Sequence, residues 1–154
     1  MPPAVTGLRR YLFRSPIALF RVRLGWLFGG ALLLLTHTGR STGTPRQTVL
    51  EVPLRDDSRV LYIASGWGTT TDWYQNLLAD PRVGVTVGAR RFAAIAQPLT
   101  PHESGELMSR YAREHPKRAA VLGKVVDWSR QGDTDWYQVG HDRVPWVRLT
   151  ATPS

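Results

Sequence analysis

The chain contains no cysteine, which excludes disulfide frameworks and thiolate metal sites and permits a reducing compartment. Histidine is sparse too. His37, His102, His115 and His141 are scattered without metal-ligand spacing, so no metal centre is expected. The apolar run Leu24–Leu35 is too short to span a bilayer, and no small-residue cleavage site follows it, which argues against a secretory signal. Lysine is almost missing: Lys117 and Lys124 are the only two in a chain of formal charge +8. The positive charge is therefore arginine, the residue suited to planar, bidentate recognition of phosphate and carboxylate. Nucleic acid, anionic lipid and a polyanionic cofactor all fit that balance. The lack of a recognition helix, zinc site or aromatic-basic RNA motif counts against nucleic acid.

Apolar residues are plentiful. With 154 residues, 42% of them hydrophobic, the chain can bury the core of one domain. The start of the chain reads differently from the rest. Arg9, Arg10, Arg14, Arg21 and Arg23 are interleaved with Tyr11, Phe13, Phe20, Trp26 and Phe28, and Ser15-Pro16 offers an N-cap followed by proline. This predicts a helix from about Pro16 to Leu27. Residues 1–30 then form a basic amphipathic helical segment, suited either to an anionic membrane surface or to packing on the domain at 31–154.

That domain reads as strands. Leu32–Leu35 is a buried strand and Gln47–Leu54 its hairpin partner. Arg59–Ser65 is a third strand, Val83, Val85 and Val87 mark the apolar face of a fourth, and a turn at Gly88-Ala89-Arg90 leads to a fifth, Arg91–Gln97. Asp72, with Gln75 three residues on, resembles a capping box for a helix Asp72–Ala79. Further helices are expected from Pro101 to about His115 and from Lys117 to about Val126. Gln131–Asp133 reads as a turn, Trp136–Val139 as extended, and Val144–Thr150 as a last strand, placed at a sheet edge by Pro145. Short strands with turns between them and peripheral helices indicate a mainly β (α+β) fold built on a closed or nearly closed antiparallel barrel.

Two loops carry chemistry. In Gly39–Arg46 the glycines can take positive φ, Arg40 and Arg46 flank the reversal within reach of one shared anion, and Ser41, Thr42 and Thr44 add hydroxyls beside a backbone nest. The same residues also suit a solvated basic turn. The second loop, Ser65-Gly66-Trp67-Gly68, leaves a strand just before a helix N-terminus, where an anion can be received. Trp67, Trp73 and Tyr74, followed by Asn76, make either core or a wall for a flat ring system. No acid–base pair or partnered nucleophile emerges, so the reactive group of any enzyme here would belong to a cofactor.

THTGRSTGTPR (36–46) followed by LYIASGWGTTTDWYQNLLADPRVGV (61–85) resembles the deazaflavin-dependent nitroreductase family of actinobacteria, with Trp73–Pro81 as the third ordered motif. The resemblance implies a split β-barrel of the flavin-reductase and pyridoxamine-phosphate-oxidase type that binds reduced coenzyme F-420, whose phosphate and polyglutamate tail would explain the arginine bias. It implies that Arg40, Ser41, Thr42 and Arg46 hold phosphate and tail, and that Ser65, Gly66 and Trp67 lie near the cofactor's head, with Trp73 and Asn76 nearby. The implied reaction is hydride transfer to an electron-poor quinone or nitroaromatic acceptor. Tyr111 and Tyr137 are the nearby tyrosines that offer a proton donor. The implied place is cytoplasmic, on the inner face of the membrane if the N-terminal helix meets lipid. Split barrels often form homodimers. The rival readings are a non-catalytic carrier of fatty acid, haem or another tetrapyrrole, and an FMN-dependent reductase. Retention of Arg40, Ser41 and Arg46 favours an enzyme over a carrier.

Overall fold

The computed structural model describes residues 30–125 and 135–153; the helix expected at Pro16–Leu27, the segment expected at 1–30 except its last residue, and the turn expected at Gln131–Asp133 lie outside them. Seven strands form one sheet: β1 (Leu32–Thr38), β2 (Pro45–Glu51), β3 (Leu54–Arg55), β4 (Val60–Ala64), β5 (Arg82–Val87), β6 (Arg90–Pro98) and β7 (Trp146–Ala151). Their order is β2-β1-β5-β6-β7-β4-β3, and every neighbouring pair is antiparallel. The sheet curls until β2 touches β4, giving the nearly closed barrel expected. The helices among the described residues are α1 (Asp72–Ala79), α2 (Pro101–Glu114), α3 (Pro116–Val125) and α4 (Trp136–Asp142).

Strand alternation builds two cores. Leu33 and Leu35, Leu61 and Ile63, Val83, Val85 and Val87, and Val147 and Leu149 fill the barrel interior, where α1 adds Tyr74 and Leu77. Each such aliphatic side chain, moved from water to the interior, contributes about 1.5–3 kcal/mol before entropy is counted. On the outer face, Leu54, Tyr62 and Trp146 meet Met108, Tyr111, Ala119 and Val139 from α2, α3 and α4. Helices α2 and α4 approach so closely that a Cβ on Gly140 would lie 2.6 Å from Met108 Cβ and 2.9 Å from Gly105 Cα.

Several expected elements differ. β1 runs on through Thr36, His37 and Thr38 because its polar end pairs with Gln47, Arg46 and Pro45 of β2. Pro53 divides the second strand, leaving β2 and the short β3. Trp136–Val139 is helical rather than extended: Asp135 caps α4 by accepting from the Gln138 N–H at 3.1 Å. Pro145 precedes β7, which lies between β6 and β4 instead of at an edge; the proline's carbonyl accepts from the Ser65 N–H. Thr71, not Asp72, is the N-cap of α1, and Gln75 donates to the Thr69 carbonyl. The capping box is at Thr100 and Glu103, which opens α2.

Candidate functional site

The arginine loop and the glycine loop meet at the first turns of α1. The first loop is closed internally. The Gly39 N–H donates to the Thr44 carbonyl and the Gly43 N–H to the Gly39 carbonyl, each at 2.8 Å. Gly43 has φ +70°, the conformation that favours glycine. Gly39 is needed for a different reason: a Cβ there would stand 2.8 Å from Thr42 Oγ1 and 3.5 Å from Arg46 Nε. With the Thr44 N–H turned to Thr42 Oγ1 and the Arg40 N–H turned to α1, a backbone nest narrows to the amides of Ser41 and Thr42.

Arg40 is tied to α1. Its guanidinium folds onto α1, donating to Asn76 Oδ1 at 2.8 Å, to Asp72 Oδ1 at 3.2 Å and to the Asp72 carbonyl at 3.4 Å. The buried Asn76 also accepts from the Arg40 N–H at 3.0 Å and reaches His37 Nδ1 at 3.0 Å. Asn76 therefore links loop, strand and helix. His37 is buried opposite Arg46 in the β1–β2 pair. Burial first, and the Arg46 charge second, push its pKa below the ordinary 6.5, against a smaller upward pull from Asp72. Arg46 and the hydroxyl residues Ser41, Thr42 and Thr44 are exposed, as is Arg40 despite its bonds to α1.

In the glycine loop Ser65 is buried, as are Leu61 and Ile63 on the strand before it. The Ser65 Oγ donates to the Gly68 carbonyl and lies 3.0 Å from Thr71 Oγ1. With Gly68 at φ +89°, these bonds fix a loop that holds Trp67 70% exposed. Trp73 packs on the barrel core and meets Tyr74 edge-on with 6.0 Å between centroids. Of the three aromatics, Trp67 is the exposed one, Trp73 is half-buried against the core, and Tyr74 is buried.

The tyrosines expected as donors lie elsewhere. Tyr111 is 1% exposed in the outer core and donates to Glu51, and burial with the Glu51 charge drives its pKa far upward. Such a phenol gives up its proton poorly. Tyr137 lies 2.8 Å from His102 Nδ1 between α2 and α4. The structure brings neither into the Arg40–Asn76–His37 network. A groove of about 330 Å³ beside Val52, Leu54, Arg55, His115 and Arg118 contains none of the expected site residues. Among the described residues no cluster suits a metal ion, and no helix is long and apolar enough to cross a membrane. Sequence reasoning missed Asp72 and His37 as partners of the loop. The signal was there, since His37 and Asn76 each sit inside a recognisable motif, but their separation of 39 residues conceals the contact.

A family model described as F420H(2)-dependent quinone reductase matches residues 18–125, a span that includes both loops and α1. An F420H(2)-dependent quinone reductase of Mycobacterium tuberculosis is 41% identical over 85 residues, which are 53% of this chain and 56% of the relative. The chain thus spans about half the length of the curated relatives it matches. Among solved structures, an F420-H2 dependent reductase superposes with TM-score 0.52 at 21% identity, over 77% of this chain and 93% of that one. The haem storage protein HutZ of Vibrio cholerae gives 0.54 at 13% identity, over 87% and 89%. At such identities both share the fold alone: a curled, split half-barrel.

Proposed function

Because the chain belongs to the F420H(2)-dependent quinone reductase family, we propose that it is an oxidoreductase that passes a hydride from reduced coenzyme F-420 to an electron-poor, quinone-type acceptor. The observation that carries this reading is the family match across residues 18–125, which contains every residue of the arginine loop. The loop fits the cofactor's chemistry. Exposed Arg46 offers a charge-assisted fork for phosphate or carboxylate, Thr42 and Thr44 add hydroxyls within 2.7 Å of each other, and Gly39 keeps a Cβ out of the space between them and Arg46.

When bound, the reduced deazaflavin supplies the hydride. The chain's own residues bind and orient. Arg46, Ser41 and Thr42 hold the anionic tail, while Arg40, Asp72 and Asn76 fix the loop against α1. Ser65, Gly68 and Thr71 hold the second loop in shape, so that Gly66 and Trp67 lie towards the cofactor's head and Trp67 offers a flat apolar face to a ring. The half-buried Trp73 packs beside them against the core. A quinone needs one hydride and one proton to become a quinol, and a site that fixes the geometry of that approach lowers the barrier by removing the entropy of encounter. We further infer that the basic residues 1–30 draw the protein to an anionic membrane surface, where lipid-soluble quinones partition. Deletion of Met1–Ser15 should then abolish binding to anionic vesicles. A homodimer belongs to the same reading, and sedimentation velocity tests it.

The decisive experiment is a fluorescence titration of purified protein with oxidised F-420 and, separately, FMN and haem, followed by turnover of reduced F-420 with a quinone. Tight binding of F-420 with quinone-dependent oxidation supports the assignment. Preference for FMN or haem overturns it.

A further inference from the structure

The hydrogen bonds that join the arginine loop to α1 have only one self-consistent direction. The Arg40 N–H and guanidinium donate and cannot accept, and both meet Asn76 at Oδ1, at 3.0 and 2.8 Å. The amide cannot be turned over, because its NH2 would then face two donors. Asn76 Nδ2 is left 3.0 Å from His37 Nδ1, where it must donate. His37 must therefore accept at Nδ1, which places its single ring proton on Nε2.

The charges around the imidazole oppose a second proton. Arg46 faces it across the β1–β2 pair, and the Arg40 guanidinium lies on the far side of Asn76. Among the described residues, Asp72 at the head of α1 is the acidic group acting on it, and it already pairs with Arg40. On the other side of β1, β5 pairs as far as Gly84 opposite Thr36, and its Arg82 is bound to Asp80. His37 itself is only 5% exposed, so water cannot easily replace a lost partner.

We propose that His37, acting through Asn76, is the positioning residue of the anion loop: its Nδ1 lone pair holds the Asn76 amide in the orientation that latches Arg40 to α1, and a proton on Nδ1 releases the latch. Protonation turns the acceptor into a donor and sets Nδ1–H against Nδ2–H. Asn76 can then no longer satisfy His37 and Arg40 together. The consequence for binding rests on the loop being the cofactor's anion site; the direction of the hydrogen bonds does not.

The test has two arms on the full chain. Nitrogen-resolved NMR of the histidine side chains should show His37 as the Nε2–H tautomer, titrating below 6.5. Asn76→Asp should move that titration above 6.5, because a carboxylate oxygen now accepts from Nδ1–H. An Nδ1–H tautomer in the native protein, or a titration that Asn76→Asp leaves unmoved, overturns the proposal. In the second arm, affinity for oxidised F-420 one pH unit below the measured His37 midpoint should drop about tenfold, as linkage to one proton requires. His37→Asn, whose Oδ1 stands where Nδ1 stood and cannot be protonated, should bind at neutral pH and lose this dependence. An equal fall in His37→Asn overturns the coupling. Failure of F-420 to bind at any pH overturns the assigned function instead, and the NMR arm then decides the polarity alone.

Discussion

Substituting each of the two loop arginines separates anion binding from stability. Arg46 is exposed on the edge strand β2, so Arg46→Ala should change folding free energy by no more than about 0.5 kcal/mol. It should weaken F-420 binding by about 1.5–3 kcal/mol, the range for a charge-assisted hydrogen bond, which is roughly tenfold to over a hundredfold in Kd. Arg40 behaves differently. Its ion pair with Asp72 joins side chains 40% and 87% exposed and contributes only a few tenths of a kcal/mol, roughly, after screening. The bond from its guanidinium to Asn76 is half-buried, but the Arg40 N–H still satisfies Oδ1 when the side chain is removed, which keeps the loss near about 1 kcal/mol. Arg40→Ala should thus cost about 1–2 kcal/mol of stability, a fall in Tm of about 2–4 °C per kcal/mol at this length. It should also weaken binding by loosening the loop. Thermal melts and F-420 titrations of both variants make the comparison. Full affinity in Arg46→Ala, or a loss of stability there equal to that in Arg40→Ala, would refute the division of labour.

Four further outcomes follow from the geometry. Gly140→Ala should destabilise by about 1–3 kcal/mol in a urea melt despite alanine's better helix propensity, because the new Cβ would press on Met108 and on the α2 backbone. Thr100→Ala removes the acceptor of the Glu103 N–H and should cost about 1 kcal/mol. Tyr111→Phe should leave kcat for quinone reduction unchanged, since the hydroxyl's partner is Glu51; a collapse of kcat with the fold intact would restore it as a donor. His37 adds a pH dependence: its folded pKa is depressed, so the unfolded chain takes up the proton first. This contribution is fully present above 6.5 and is lost as pH falls from 6.5 towards the folded pKa, with a slope approaching about 1.4 kcal/mol per unit. Melts of His37→Asn should lack that slope.

The barrel was legible because period-two alternation is strong where one face is buried. Val83, Val85 and Val87 announced β5 without ambiguity, and Gly88 marked its turn with φ +58°. Of the elements that were misread, three show a local reason clearly. The polar end of β1 is held by cross-strand pairing that no window of the sequence displays. Pro145 looked like an edge signal because proline lacks a donor, yet it lies before the strand and uses only its carbonyl. Trp136–Val139 has strand-like residues, but the Asp135 cap and the close Gly140–Gly105 contact make it a helix. Packing overrode propensity there.

The site divides differently. A motif read as a string assigns both arginines to the ligand, because spacing within one loop says nothing about α1. The sheet brings His37 opposite Arg46, and the helix that follows β4 brings Asp72 and Asn76 to Arg40. One arginine of the pair is thereby bonded to α1, although both are exposed. A ligand phosphate that recruits the Arg40 guanidinium must displace Asp72, an exposed ion pair of small worth, and the half-buried bond to Asn76 Oδ1. It must also leave the Arg40 N–H on Asn76, a bond that needs no side chain. The loop can therefore lend Arg40 to an anion without losing its anchor, provided Asn76 keeps its orientation. That condition returns the control of the site to a single lone pair on His37.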